Sequence, residues 1–320
     1  MVVYHTLINL LGDLLKPLLV PRVSGTKANL KVQQHIISHF EKLNWHIQQD
    51  KFTQETPMGN VEFNNIIVTK DIKAVRRITL GAHFDSKYFA DFDFIGATDS
   101  AAPCAILMDI ATALNPYLSQ KMETMDRFST VQMIFFDGEE AVIKWETGDS
   151  IYGATHLAEK WSDQVQIYTH DDGSTSSLSP ITQMDAMIVL DLLGTKNDQI
   201  QNSQQSTQWV WDRLVRIEEK LSMLKLVSPN LVNRNKKGLP IFVPGLPTVG
   251  EHAIQDDHYP FMLLGVPICH CIALPFPSVW HTEGDNASVL YEPMMRDLSL
   301  IYRVLVVEYL GLNDFLVGDY

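Results

Sequence analysis

Two adjacent carboxylates close the run Val131-Gln-Met-Ile-Phe-Phe-Asp-Gly-Glu139-Glu140. Consecutive residues on an extended or turning backbone point in different directions. One carboxylate of such a pair can therefore hold a metal while its neighbour moves a proton, the division a metal-assisted acid–base enzyme needs. Four further segments supply matching groups in order: Gly81-Ala-His83-Phe-Asp85, Ala97-Thr-Asp99-Ser100, Val189-Leu-Asp191-Leu192 and Trp280-His281-Thr282. Asp, Glu and His suit zinc, and a catalytic zinc keeps three protein ligands with one position open. Each carboxylate alone is most simply a solvated turn residue; it is their joint placement that argues for chemistry.

That placement follows from the elements. Continuous apolar or β-branched runs mark strands at residues 65–69, 77–81, 131–136, 184–192 and 266–272, with 131–136 reading as buried on both faces and 184–192 as another buried strand. Helical periodicity covers 29–43 (apolar residues Leu30, Ile36, Ile37 and Phe40), 100–114, 150–161, 207–226 and 297–310, with Pro116 expected to stop the second of these. Such alternation predicts an α/β fold, a single domain over 1–320 with a mixed, mostly parallel central sheet and helices on both faces. Polar stretches at 118–128, 168–179 and 228–249 read as surface loops. Asp85, Glu139, Glu140 and Asp191 all follow strands, and ligand crevices in open α/β sheets lie beyond the carboxyl ends of strands. Spacing alone does not choose between one metal and two. His83, Asp99, Glu140, Asp191 and His281 would suffice for a zinc pair bridged by Asp99, with Glu139 activating water, the layout of a two-zinc aminopeptidase.

Composition narrows the partners. The formal charge of −13 argues against nucleic acid, which selects basic surfaces, and mildly favours substrates with a free amino group. An apolar fraction of 46% is ample for a large core. No stretch reads as a membrane span. Residues 1–20 are apolar but carry Asp13, Lys16 and Pro17, and read as an amphipathic helix rather than a signal peptide. Asn286-Ala-Ser288 is a glycosylation acceptor pattern. Cys104, Cys269 and Cys271 make no metal motif and read as core thiols.

Longer motifs carry a resemblance. His83-Phe-Asp-Ser-Lys-Tyr-Phe89, Gly96-Ala-Thr-Asp-Ser-Ala101 with Pro103-Cys104, Phe135-Phe-Asp-Gly-Glu-Glu-Ala141, Trp145, Asp149-Ser-Ile-Tyr-Gly153, Ile254-Gln-Asp-Asp-His258 and Pro275-Phe-Pro-Ser-Val-Trp-His-Thr282 occur in this order. With them the chain resembles the animal glutaminyl-peptide cyclotransferases, relatives of the zinc aminopeptidases, over nearly its whole length. The resemblance implies conversion of an N-terminal glutamine to pyroglutamate with release of ammonia, and one zinc held by Asp99, Glu140 and His281. It implies Glu139 as general acid and base, with Asp191, Asp256 and His270 in an acidic network beside the site. Trp145, Gln255, Phe276 and Trp280 match the substrate pocket. The implied partners are peptides beginning with glutamine, glutamate being a second candidate, and the implied setting is a monomer of the secretory pathway. One departure stands out: vertebrate members pair a cysteine before the motif histidine with the one matching Cys104. Ala82 stands there in this chain, so Cys104 is expected to be a free thiol, at a cost to stability rather than to chemistry.

Overall fold

The computed structural model describes residues 10–124, 127–169 and 173–312. Eight strands are present among them: β1 (His46–Thr56), β2 (Gly59–Thr69), β3 (Arg76–His83), β4 (Ser129–Phe136), β5 (Gln166–Thr169), β6 (Thr175–Leu178), β7 (Met184–Asp191) and β8 (Ile268–Ile272). The helices are α1 (Lys27–Lys42), α2 (Ala102–Thr124), α3 (Tyr152–Ser162), α4 (Gln208–Met223), α5 (Pro229–Lys236), α6 (His258–Leu263) and α7 (Glu292–Tyr309). Six strands form one sheet in the order β1-β2-β4-β3-β7-β8, and β5 with β6 makes a separate hairpin. The β4-β3, β3-β7 and β7-β8 pairs are parallel, while β1-β2 and β2-β4 are antiparallel. The sheet is thus mixed and mostly parallel.

Parallel strands need crossover helices on their faces, and the core divides accordingly. Alternate residues of β4 point to opposite sides: Val131, Met133 and Phe135 join the larger cluster with α1, α2, α4 and α7, while Ile134 and Phe136 join a smaller one with α3 and Phe261 of α6. Leu14, Leu15 and Leu18 of the opening segment pack into the larger cluster; residues 1–9, included in the expected first helix, lie outside the described residues.

Some expectations need correction; the loop expected at 118–128 opens with the end of α2, and that expected at 168–179 holds β6. Pro116 does not stop α2, which runs on to Thr124. Leu114 and Leu118 stay buried on either side of it, so the packed apolar face carries the helix past one missing N–H. This helix also passes for a membrane span by length and composition over residues 97–123, yet 78% of its apolar 18-residue window is buried inside the protein, which makes it a core helix. Leu30 of α1 is 55% exposed, so the inward face is Val32, Ile36 and Phe40. Two further elements carry little apolar signal. β1 pairs with β2 along its whole length as an edge strand of mostly polar residues. α5 sits inside the stretch read as a loop, although Ser228 caps it by accepting from Leu231 N and Pro229 opens it.

Candidate active site

The site gathers at the carboxyl ends of β3, β4 and β7. Asp85, just beyond β3, accepts the backbone N–H of Glu139 at 3.2 Å and of Glu140 at 3.3 Å, one on each carboxylate oxygen. Ile151 N donates to Glu139 O and Tyr152 N to Gly138 O, tying the same turn to the start of α3. The adjacent glutamates are thereby fixed at a buried turn after β4 through main-chain groups of the turn itself.

Asp99, Glu140 and His281 offer ligand atoms that all lie within 4.8 Å of one another. His281 Nε2 is 3.3 Å from Glu140 Oε1 and 3.4 Å from Asp99 Oδ2. Asp99 Oδ2 is buried without a hydrogen-bond partner, an expensive state for a carboxylate oxygen that a cation in the gap relieves. One imidazole and two carboxylates around an accessible cavity form the donor set of a catalytic zinc with an open position, so the residues fit that ion. The two loops that carry these ligands are laced together: Asp285 accepts from Thr98 N at 2.8 Å and from Thr98 Oγ1 at 3.0 Å. On the other side, Lys87 Nζ reaches Ala141 O at 3.0 Å and Glu140 Oε2 at 3.4 Å.

A second group, His83, Asp99 and Asp191, lies against the first and shares Asp99. His83 Nε2 is 3.1 Å from Asp99 Oδ1 and 3.4 Å from Asp191 Oδ1, and its Nδ1 is 3.5 Å from Asp85. Burial resists charge on His83, but Asp191, Asp85 and Asp99 overcome it and lift its pKa well above the ordinary histidine value. Asp191 Oδ1 is also held by the Ser100 hydroxyl and by Leu192 N.

The other pKa shifts sort the carboxylates. Glu139 is raised well above its ordinary value, first by burial; His83 opposes the rise, and Glu140, Asp256 and Asp257 add to it. Burial likewise pushes Asp191 to about 6. Asp256 falls to about 2, because the His270 hydrogen bond outweighs its burial. His281 rises to about 9, burial being overcome by Asp99 and Glu140.

A cavity of about 490 Å³ opens onto these groups and is walled by Trp145, Gln255, Phe276 and Trp280. Trp145 is 39% and Trp280 40% exposed, so neither is a core side chain. Trp280 stacks on His281 with ring centres 4.1 Å apart and meets Phe276 edge-on at 4.9 Å. Asp149 accepts the N–H groups of Val142, Ile143 and Lys144 and the Tyr152 hydroxyl, which shapes the loop that presents Trp145.

Asp256 and His270 are not in the cavity wall. They bond each other at 2.7 Å behind it. Asp191 lines the cavity but makes its own bonds to Ser100 and Leu192, so the three expected network members do not form one hydrogen-bonded chain. Sequence reasoning assigned no role to Asp85, though its spacing from His83 puts both on one side of an extended segment. It likewise assigned no role to Ser100 or to the fully buried Asp257 and His258, although all three lie inside the quoted motifs, and it passed over Asp285.

Comparison with known proteins agrees with this architecture. The model for peptidase family M28 matches residues 65–306. A curated Mus musculus glutaminyl-peptide cyclotransferase-like protein is 38% identical over 305 residues, covering 94% of this chain and 75% of that protein. A Dictyostelium discoideum glutaminyl-peptide cyclotransferase is 38% identical over 316 residues, covering 92% of this chain and 83% of that one. The crystal structure of Macrostomum lignano glutaminyl cyclase superposes with a TM-score of 0.81 at 36% identity, covering 94% of this chain and 89% of that chain.

Proposed function

We propose that this chain, which belongs to peptidase family M28 and within it to the glutaminyl-peptide cyclotransferases, cyclises the N-terminal glutamine of peptides and proteins to pyroglutamate and releases ammonia. The observation that carries the reading at the site is the split between neighbours: Glu140 faces Asp99 and His281, while Glu139 is buried beside them with a raised pKa. One zinc held by Asp99, Glu140 and His281 would act as a Lewis acid on the side-chain amide carbonyl. The engagement of Asp191 by Ser100 and Leu192 N supports a single ion over a pair.

The chain's own groups do the rest. The Glu139 carboxylate takes a proton from the substrate α-amine as that nitrogen forms a bond to the side-chain carbonyl carbon. The same carboxyl then returns a proton to the departing nitrogen, the C–N bond breaks, and ammonia leaves with Glu139 restored. A base with a raised pKa suits this exchange, since α-amines titrate near neutrality. Asp191, lining the same cavity, steadies a charged amine until it gives up its extra proton to solvent, and the neutral amine is the form that attacks. Asp256 and His270 set the field behind Glu139. Trp145, Gln255, Phe276 and Trp280 enclose the glutamine and limit water, which ring closure does not consume.

The same reading makes the enzyme a secretory monomer that acts on glutamine-initiated peptides, with glutamate-initiated ones as a second candidate. Its rival is an aminopeptidase. Incubation with matched peptides beginning with glutamine and with leucine separates the two. Cyclisation predicts loss of one ammonia from the first and no change in the second. Release of the first residue from either peptide would favour the peptidase.

A further inference from the structure

Arg22 is 0% exposed, and its guanidinium touches no carboxylate. All its hydrogen bonds go to main-chain carbonyls: Phe84 O at 2.5 Å, Gly96 O at 3.0 Å, Asp99 O at 3.2 Å, Val20 O at 3.4 Å, and Ile95 O. Its own N–H donates to the Ser86 hydroxyl at 2.9 Å. Phe84 lies between His83 and Asp85, and residues 95–99 lead into the ligand Asp99. One side chain therefore clasps two of the strand-end segments that build the site.

The geometry of the Asp99 loop makes such a clasp necessary. Gly96 sits at φ +57, and a Cβ there would fall 2.1 Å from Asp99 O, so the loop doubles back on itself. Doubling back turns the carbonyls of Ile95, Gly96 and Asp99 toward the same interior point. Three converging carbonyl dipoles in a buried space repel one another and call for donors, of which Ala101 N supplies one, to Gly96 O at 3.2 Å. A guanidinium, planar and with five N–H donors, satisfies several at once and brings a permanent positive charge under an acidic site. A lysine ammonium has the charge but only three donors and no fork.

We propose that Arg22 is a positioning residue for the metal ligand Asp99, fixing its backbone so that the carboxylate faces Glu140 and His281 with a charge in place before any ion arrives. This rests on the zinc site proposed above. Partners one shell out from a metal are worth about 10–100-fold in metal affinity or activity.

The test compares the parent with Arg22→Lys, Ser86→Ala and Arg303→Lys. The last is a control at a second buried arginine, which pairs with Asp109 between α2 and α7, away from the site. Zinc affinity is read by chelator competition, and kcat and KM on a glutamine peptide are measured at saturating zinc, with a melting curve of the zinc-free protein. Arg22→Lys should bind zinc at least about tenfold more weakly and lose kcat with KM little changed. Ser86→Ala, a milder lesion, should shift both in the same direction, and Arg303→Lys should lower the melting temperature alone. Unchanged zinc affinity and kcat in whichever of the Arg22→Lys and Ser86→Ala variants folds would overturn the inference, however far the melting point falls. Failure of the parent itself to bind zinc would instead count against the zinc site.

Discussion

Two buried polar clusters flank the turn at Asp137–Glu140, and they are finished differently. On the side of β1 and β2, donors crowd onto carboxylates. Asp137 accepts from the Ser24 hydroxyl, Asn29 Nδ2 and Asn64 N, at 2.7–3.0 Å. Asp50 accepts from Asn65, His156 and Lys160, also at 2.7–3.0 Å. Asn65 closes the circuit by accepting from Asp137 N and donating to Gly153 O. On the side of β7 and β8, both oxygens of Asp257, both nitrogens of His258 and Asp99 Oδ2 are buried without partners. The first cluster uses its polarity to fix backbone. The second leaves Asp99 Oδ2 unpaired beside the cavity, at a cost in stability, where a cation can use it. A network whose carboxylates are satisfied, though Asn64 Oδ1 is left unpaired, holds the turn still beside a less satisfied one.

Metal removal bears most heavily on that contrast. Chelation should abolish cyclisation and added zinc should restore it, because the open cluster loses the ion that completes it; full turnover in a protein shown by elemental analysis to be metal-free would break the contrast. Trp280→Ala comes next. Turnover should fall roughly tenfold or more, equivalent to at least about 1.4 kcal/mol, with little change in melting temperature. A core tryptophan would instead cost roughly 3–5 kcal/mol of stability, so a melting curve and an assay on one preparation decide between the two.

The closed cluster should answer in the opposite way. A Cβ on Gly153 would fall 2.2 Å from both Asn65 Oδ1 and Asp137 O. Gly153→Ala should therefore lose about 1–3 kcal/mol in urea unfolding, while zinc content per folded molecule stays near that of the parent.

A pH effect is expected at a satisfied carboxylate outside both clusters. Burial raises Asp198 to about 6, although Thr195 and Gly194 donate to it. A carboxyl raised in the folded state binds its proton more tightly than in the unfolded chain. Its stabilisation is present at low pH and declines as pH climbs from the unfolded value near 4 to about 6. Asp198→Asn should flatten the stability slope across that window by up to about 3 kcal/mol. Identical slopes in variant and parent would show that the group does not titrate there.

Legibility in the sequence followed chemistry more than architecture. The continuous run before Glu139 marked a buried strand because parallel strands are apolar on both faces, and the carboxylates at strand ends marked the crevice. β1 was invisible because an edge strand that shows one face to water and pairs through its backbone needs no apolar alternation. α5 was announced by Ser228 and Pro229 and hidden by its polar composition. Trp280 adjoins a ligand in sequence, which is why a pocket wall could be distinguished from a core aromatic. Arg22 lies 77 positions from Asp99, and its partners are main-chain carbonyls, which carry no residue identity; only the fold brings them together.

The sharpest test of the division at the turn is a pair of substitutions measured side by side for zinc content and turnover. Glu139→Gln should keep zinc and fold and lose activity by roughly 100-fold or more, the scale of general acid–base catalysis. Glu140→Gln should instead lose zinc affinity, with activity following the metal. Near-normal turnover in Glu139→Gln, or full zinc retention in Glu140→Gln, would contradict the assignment of proton and metal to neighbouring carboxylates.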